Sequence, residues 1–250
     1  MTLKQLFSDA ELEGIIDRNP SSRLEMPNNL TESSRRPLTE FERSVVCKVA
    51  KIHKCGPYVL TMLFCGLRRG ECIALTVGDV DFGVPCIYIN KALGFPGNAG
   101  YVKEPKSKAG VRSVPLPDIL FPVLASMCKG RKSNEILFPK SDGDHATEQT
   151  CRWWWSSFLN QCHITAGAKL YRNQIQVDTS PFGNEVTAHF LRHTYATDLY
   201  AAGVDEMAQR IFLGHASGNV TDTYRKMNAT AFSRALSQIN EYYSNINFEI

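Results

Sequence analysis

The stretch PYVLTMLFCGL, residues 57–67, is the longest apolar run in the chain and carries no charge. A helix drawn through it is apolar on every side, so it must be buried on every side. It is too short to cross a bilayer, which takes about 20 residues. The chain therefore has to wrap a core around this segment. With 250 residues and 43% apolar content it has enough material to do so, in one or two domains. Directly behind the run stand Arg68 and Arg69, in CGLRRGE. An arginine at the exit of a buried helix places a rigid fork of donors close to the interior, a geometry that suits the paired oxygens of a phosphate. The ordinary alternative is a surface arginine paired locally with Glu71.

Ahead of this segment, residues 8–18, SDAELEGIIDR, predict a short helix. Ser8 and Glu11 have capping-box spacing, and Phe7 and Leu12 can form a hydrophobic staple. Leu12, Ile15 and Ile16 share an apolar side, which Leu3 and Leu6 extend. The sequence NPSS at 19–22 stops the helix, and the polar stretch to Pro37 reads as a linker. We therefore expect residues 1–36 to be a helix plus tether and residues 37–250 to be the main domain. A single amphipathic helix cannot bury its own face and needs a partner surface.

The main domain reads as mainly α with a small antiparallel β-sheet, an α+β class. Thr39 caps a first helix in LTEFERSVVCKVAKI, the apolar helix follows, and a short helix starts near Gly70. CIYIN at 86–90 and GVRSVPL at 110–116 read as strands, joined by a Gly/Pro- and lysine-rich connection. Helices are expected near 118–130 and 147–166, no clean period appears over 168–185, and from Thr187 onward the chain is mostly helical. Trp153, Trp154 and Trp155 cannot all face one side of a helix, so one or two of them belong in the core.

The formal net charge is only +3, which permits a nucleic-acid partner through a local basic patch but does not require one. Eight cysteines without a CxxC pair, several inside apolar runs, point to buried free thiols in a reducing compartment. No signal peptide is read at the start. The expectation is a cytoplasmic protein with no membrane contact.

The densest chemistry lies in HFLRH, residues 189–193, on a helix that Thr187 is placed to cap. His189 shares a face with Arg192 and with His193. Gly214-His215 closes a later helix, and Tyr224 stands nine residues beyond His215 in TDTYRKM. Lys103, Lys106 and Lys108 decorate the connection between the two strands. Taken singly, each has an ordinary reading: solvated polar residues at a helix start, a surface histidine, a packing tyrosine, a basic turn. Together they match the needs of DNA phosphoryl transfer. That reaction needs cationic donors around developing negative charge, a nucleophile, and a proton donor for the leaving oxygen. No GxxxxGK[ST] loop is present, so the energy of the broken bond would have to be stored in a tyrosyl linkage. A zinc site on His189, His193 and His215 is the rival; it lacks HExxH, and Arg192 would repel a cation.

These motifs, in this order, resemble the tyrosine recombinase, or phage integrase, family: GLR at 66–68 continuing RGE, PKSKAGVRSVPL at 105–116, HFLRHTYAT at 189–197, LGHAS at 213–217 and TDTYRKM at 221–227. The resemblance covers roughly residues 37–240 and is greatest to integrases of prophages and conjugative transposons. It implies the tyrosine recombinase catalytic-domain fold. It further implies that Arg68 and Arg192 clamp the scissile phosphate and that His189 contacts it and handles protons. By the same resemblance His215 is a third phosphate ligand, Tyr224 the nucleophile that forms a 3′-phosphotyrosyl link, and Lys106 the general acid, with Lys108 as the alternative. Glu71 or Glu185 could fill a supporting acidic position, and His193 a packing one. No cofactor and no metal are implied. The implied partners are double-stranded DNA, other copies of the chain in a tetramer on DNA, and accessory DNA-bending or directionality factors. The terminal helix of such proteins passes to a neighbour or packs on its own domain. Residues 1–36 resemble the last helix of a core-binding domain with its linker, which leaves a shortened DNA clamp. A DNA-binding remnant that does not recombine and a type IB topoisomerase-like relaxing enzyme are the alternatives.

Overall fold

The structure, a computed structural model, describes residues 3–24, 36–97, 100–103, 110–172, 174–214 and 227–246. By internal contacts the chain divides into two compact units, residues 1–35 and 36–250.

In the first unit the helix α1 spans Leu3–Leu12, and none of its residues is buried. The helix thus begins before the expected cap and runs through Ser8. The Ser8 hydroxyl instead accepts from Asn19 Nδ2 at 3.0 Å. Asn19 also accepts from the backbone and hydroxyl of Ser21, at 2.8 and 2.7 Å, so NPSS is a side-chain-locked turn. The helix has already ended before this turn, with Gly14 at φ 70°. Ile15 lies beyond the helix and is exposed, as are Leu3, Leu6 and Leu12.

The second unit is built around the apolar run. The helix α3, Gly56–Cys65, has every residue except Pro57 buried. The preceding helix α2, Glu40–Ala50, starts at a full capping box. Thr39 accepts from the Glu42 amide, and the Glu42 carboxylate accepts from the Thr39 amide. Two longer helices flank this pair: α6 (Glu148–Thr165) packs on α2, and α7 (Ala188–Ala201) packs on α3. Within α6, Trp154 is buried and Trp155 packs partly against the core, while Trp153 is exposed beneath the Lys54 ammonium at 4.3 Å. The shorter α4 (Arg69–Cys72) and α5 (Phe121–Cys128) complete the first half.

A three-stranded antiparallel sheet has the order β1 (Val80–Asp81), β2 (Cys86–Ile89), β5 (Arg112–Pro115), with Ile87 opposite Val114 and Ile89 opposite Arg112. The connection between the two expected strands is not a plain loop. It contains a hairpin of β3 (Ala92–Gly94) with β4 (Tyr101–Lys103), Leu93 facing Val102. The stretch without a period holds another hairpin, β6 (Lys169–Tyr171) with β7 (Gln174–Gln176). Three-residue strands carry too few alternations to register as a pattern.

The helices α8 (Glu206–Leu213) and α9 (Ala229–Asn245) close the domain. The α9 helix packs on its own domain, burying Ala235, Ile239 and Tyr243. Its Tyr243 hydroxyl donates to Asp198 of α7 at 3.1 Å, and Asp198 also accepts from Arg43 of α2 at 2.6 Å and from Tyr242 at 3.3 Å. This buried carboxylate ties three helices together. All eight cysteines are free thiols and all but Cys128 are buried. Burial pushes the Cys47 thiol up to about 12, so it packs as an inert apolar group. No helix among the described residues is long and apolar enough to cross a membrane.

Candidate active site

The apolar helix α3 ends at Gly66, whose φ of 63° turns the chain sharply out of the core. A Cβ at this position would lie 2.1 Å from Cδ1 of Tyr195, so only glycine allows the approach of α7. Arg68 follows two residues later with its side chain 46% exposed. Its guanidinium is held by Glu71 at 2.8 Å, and Glu71 also accepts from the Arg68 amide at 2.9 Å.

Glu71 does more than pair locally. It takes a two-pronged bond from Arg112 of β5, Nη1 at 3.1 Å and Nη2 at 2.8 Å. Burial on its own would raise the Glu71 carboxyl, but the Arg112 bonds and charge, together with Arg68, hold it down at about 2. Arg112 in turn donates through Nε to the Phe212 carbonyl at 2.8 Å, near the end of α8. A Cβ at Gly214 would lie 2.9 Å from Arg112 Nη1, which explains a glycine in the left-handed cap position there.

Arg192, on α7, is buried. Its Nη1 donates to the Gly66 carbonyl at 2.6 Å and its Nη2 to the Leu213 carbonyl. It thus joins the exit of α3 to the exit of α8, satisfying carbonyls that a helix end leaves open. Burial, then the nearby Arg68 charge, bring the Arg192 guanidinium down to about 10. It is still charged at neutral pH, but it sits among like charges, a stress that an arriving anion would relieve.

His189 is exposed on the first turn of α7, and its ring meets that of His193 at 4.6 Å, nearly perpendicular. Thr187 occupies the cap position of α7, but its side chain makes no capping bond, contrary to the sequence expectation. Instead it lines a cavity of about 670 Å³ with Arg68, His189 and Arg192. The opposite wall comes from α6, through Trp155, Ser156 and Asn160 among others. Glu185 stands apart from this cluster and pairs with Arg36 at 2.7 Å, while Arg36 also holds Glu42.

The structure therefore brings Arg68, His189 and Arg192 to one cavity and places Glu71 behind them. Lys106, Lys108, His215 and Tyr224 lie outside the described residues. Arg112 has no role in the sequence expectations, although it lies in the strand GVRSVPL. The available signal was an arginine in register with Val114 on the inward face of a strand, a charge that burial forces to find a carboxylate. Three guanidiniums against one carboxylate leave surplus positive charge, the setting for an anion such as a phosphate.

Comparison with known proteins identifies the family. The phage integrase family model matches residues 38–231, and the chain belongs to that family. It is 24% identical to a tyrosine recombinase XerC-like protein of Caldanaerobacter subterraneus, over 96% of this chain and 64% of that protein. It is 27% identical to the transposase from transposon Tn916 of Enterococcus faecalis, over 75% of this chain and 46% of that protein. The chain thus spans less than two thirds of the length of these relatives. Among solved structures, the Tn1549 transposon integrase in complex with transposon right end DNA shares the fold at a TM-score of 0.67 and 22% identity, covering 93% of this chain and 74% of that one. A lambda integrase dimer bound to a COC′ core site does so at 0.56 and 19%, covering 91% and 73%. The α+β reading and the resemblance to tyrosine recombinases, including those of transposons, are borne out.

Proposed function

We propose that this chain is the catalytic part of a site-specific recombinase that breaks and rejoins double-stranded DNA. The observation that carries the reading is the convergence of Arg68, His189 and Arg192 on one cavity, from segments more than a hundred residues apart in sequence. In this reading the two arginines clamp the scissile phosphate and His189 contacts it and handles protons. The Tyr224 hydroxyl attacks phosphorus, forming a 3′-phosphotyrosyl bond as the bond to the 5′ oxygen breaks. Lys106, or Lys108 in its place, gives that oxygen its proton. His215 completes the phosphate ligands. Reversal with a second strand's 5′-hydroxyl rejoins the DNA without a nucleotide cofactor.

Relatives support the partners as well. The Tn1549 integrase was solved with transposon end DNA and the lambda integrase as a dimer on its core site. We infer that this chain also binds duplex DNA and self-associates on it, as a tetramer during recombination, with accessory bending or directionality factors as further partners. Residues 1–36 are read as the last helix and tether of a second DNA-clamping domain, a reading supported by the exposed leucines of α1.

The test is a nicked suicide duplex carrying the chain's own recombination site. Recombinase chemistry gives an adduct stable to detergent, absent in Tyr224→Phe, and strand exchange between two duplexes. Binding without any adduct would instead identify a non-cleaving DNA-binding protein. Relaxation of supercoils without strand exchange would identify a topoisomerase-like enzyme.

A further inference from the structure

We propose that the β6–β7 hairpin is a DNA-gripping element beside the cavity, acting through Lys169, Tyr171 and Arg172; this rests on the recombinase reading above. The chain enters the hairpin from one wall of the cavity and leaves it at the same cavity. The helix that leads into it, α6, contributes Asn160 and His163 to the cavity wall, and the chain leaving β7 contributes Val177. A three-residue strand extends about 10 Å, so Tyr171 and Arg172 lie about one such length along the chain from the foot that adjoins Val177.

The chemistry of the hairpin suits a nucleic acid. Lys169 is opposite Gln176 and Tyr171 opposite Gln174, so these four side chains share one face. The Arg172 guanidinium lies 5.3 Å from the centre of the Tyr171 ring. No carboxylate occurs between Lys169 and Val177. Ammonium and guanidinium groups neutralise phosphates, amides bond to sugars and base edges, and an aromatic ring offers a stacking surface. All four side chains of this face are exposed, while Ile175 on the other face is the least exposed described side chain of the two strands.

The hairpin is also built with care for so exposed an element. Tyr171 and Leu170 are 56% and 61% exposed. The Thr179 hydroxyl accepts from the Lys169 amide at 2.8 Å and donates to the Gln176 carbonyl at 2.7 Å, clasping the base. Among the described residues Arg172 is the only non-glycine with positive φ, at 48°. That conformation costs about 1 kcal/mol and is not offset by burial at this site. The hairpin packs on its own domain chiefly through β7 against α6, which leaves its outer face free to meet a partner. The surplus of cations makes DNA that partner rather than a second copy of the chain.

The experiment measures binding of the full chain to a fluorescein-labelled mixed-sequence duplex of roughly 30 base pairs, over about 50 to 200 mM salt. The variants are Lys169→Gln with Arg172→Gln, and Tyr171→Ala; their thermal unfolding should match the parent, since all three side chains are exposed. We expect the double variant to bind more weakly and to flatten the salt dependence by up to about two charges. Tyr171→Ala should lose roughly five-fold or more in affinity with the salt slope kept. If the parent binds DNA and both variants bind equally well, the hairpin proposal is overturned and the recombinase reading stands. If the variants lose only self-association in sedimentation, the surface belongs to a second copy and the proposal is equally overturned. A parent chain that binds no duplex overturns both.

Discussion

Arg192 donates to the carbonyl of Gly66 at 2.6 Å across 126 residues of chain, so the arginine of one motif holds the backbone from which the arginine of another emerges. The placement of Arg68 therefore depends on Arg192, and neither is a free-standing surface cation. Arg192→Lys keeps the charge but cannot reach the Gly66 and Leu213 carbonyls with a planar fork. If the chain is the recombinase proposed above, its DNA cleavage should fall by at least about 10²-fold, the scale for losing one preorganised transition-state donor. Single-turnover adduct formation measures it, and near-parental rates in the lysine variant would sink the two-carbonyl account.

Gly66 tests the packing side of the same junction. Alanine there meets both a left-handed backbone and the Tyr195 ring at 2.1 Å. We expect a loss of about 3 kcal/mol or more, read as a lower urea midpoint with unchanged slope. An unshifted midpoint means the α3–α7 approach is looser than described.

Glu71 should make the site acid-sensitive. Its folded carboxyl, at about 2 against an ordinary 4.5, binds a proton more weakly than the unfolded one. Its stabilisation is thus fully present above pH 4.5 and is lost as pH falls toward 2. The full contribution is about 3 kcal/mol. Urea titrations of the parent and Glu71→Gln between those pH values should converge as the solution is acidified; parallel curves would falsify the assignment.

Asp198 predicts the anchoring of the terminal helix. Asp198→Ala leaves the buried Arg43 without this counter-charge and releases Tyr242 and Tyr243. The expected cost is about 3–5 kcal/mol. Hydrogen exchange should rise in α9 and α2 together; a rise in α9 alone would show that Arg43 finds its support elsewhere.

Much of this was legible in the residues. The apolar run at 57–67 had one physical solution, burial, and α3 adopts it at every position but Pro57. Thr39 was legible as a helix cap because capping depends on neighbours within one turn, while its reciprocal bond with Glu42 emerged in the structure. The order of the arginine and histidine motifs marked the site. The two hairpins escaped notice because their strands are three residues long. Ser8 was misleading because a capping pattern inside good helix-forming sequence does not start a helix when the preceding turn is already helical. Thr187 sits at the expected position, but its side chain makes no capping bond and the residue lines the cavity.

Local periodicity and motif order were thus decided by the sequence alone, since they depend on neighbours within a turn or two of chain. The tertiary structure alone decided how the arginines divide their work. Arg68 lies at the rim of the cavity and Arg192 is locked between two helix ends. Arg112, 41 residues from Glu71, sets that carboxylate's charge. Such pairings have no period in sequence. They arise because a charge forced into the core must find its counter-charge wherever the fold brings one.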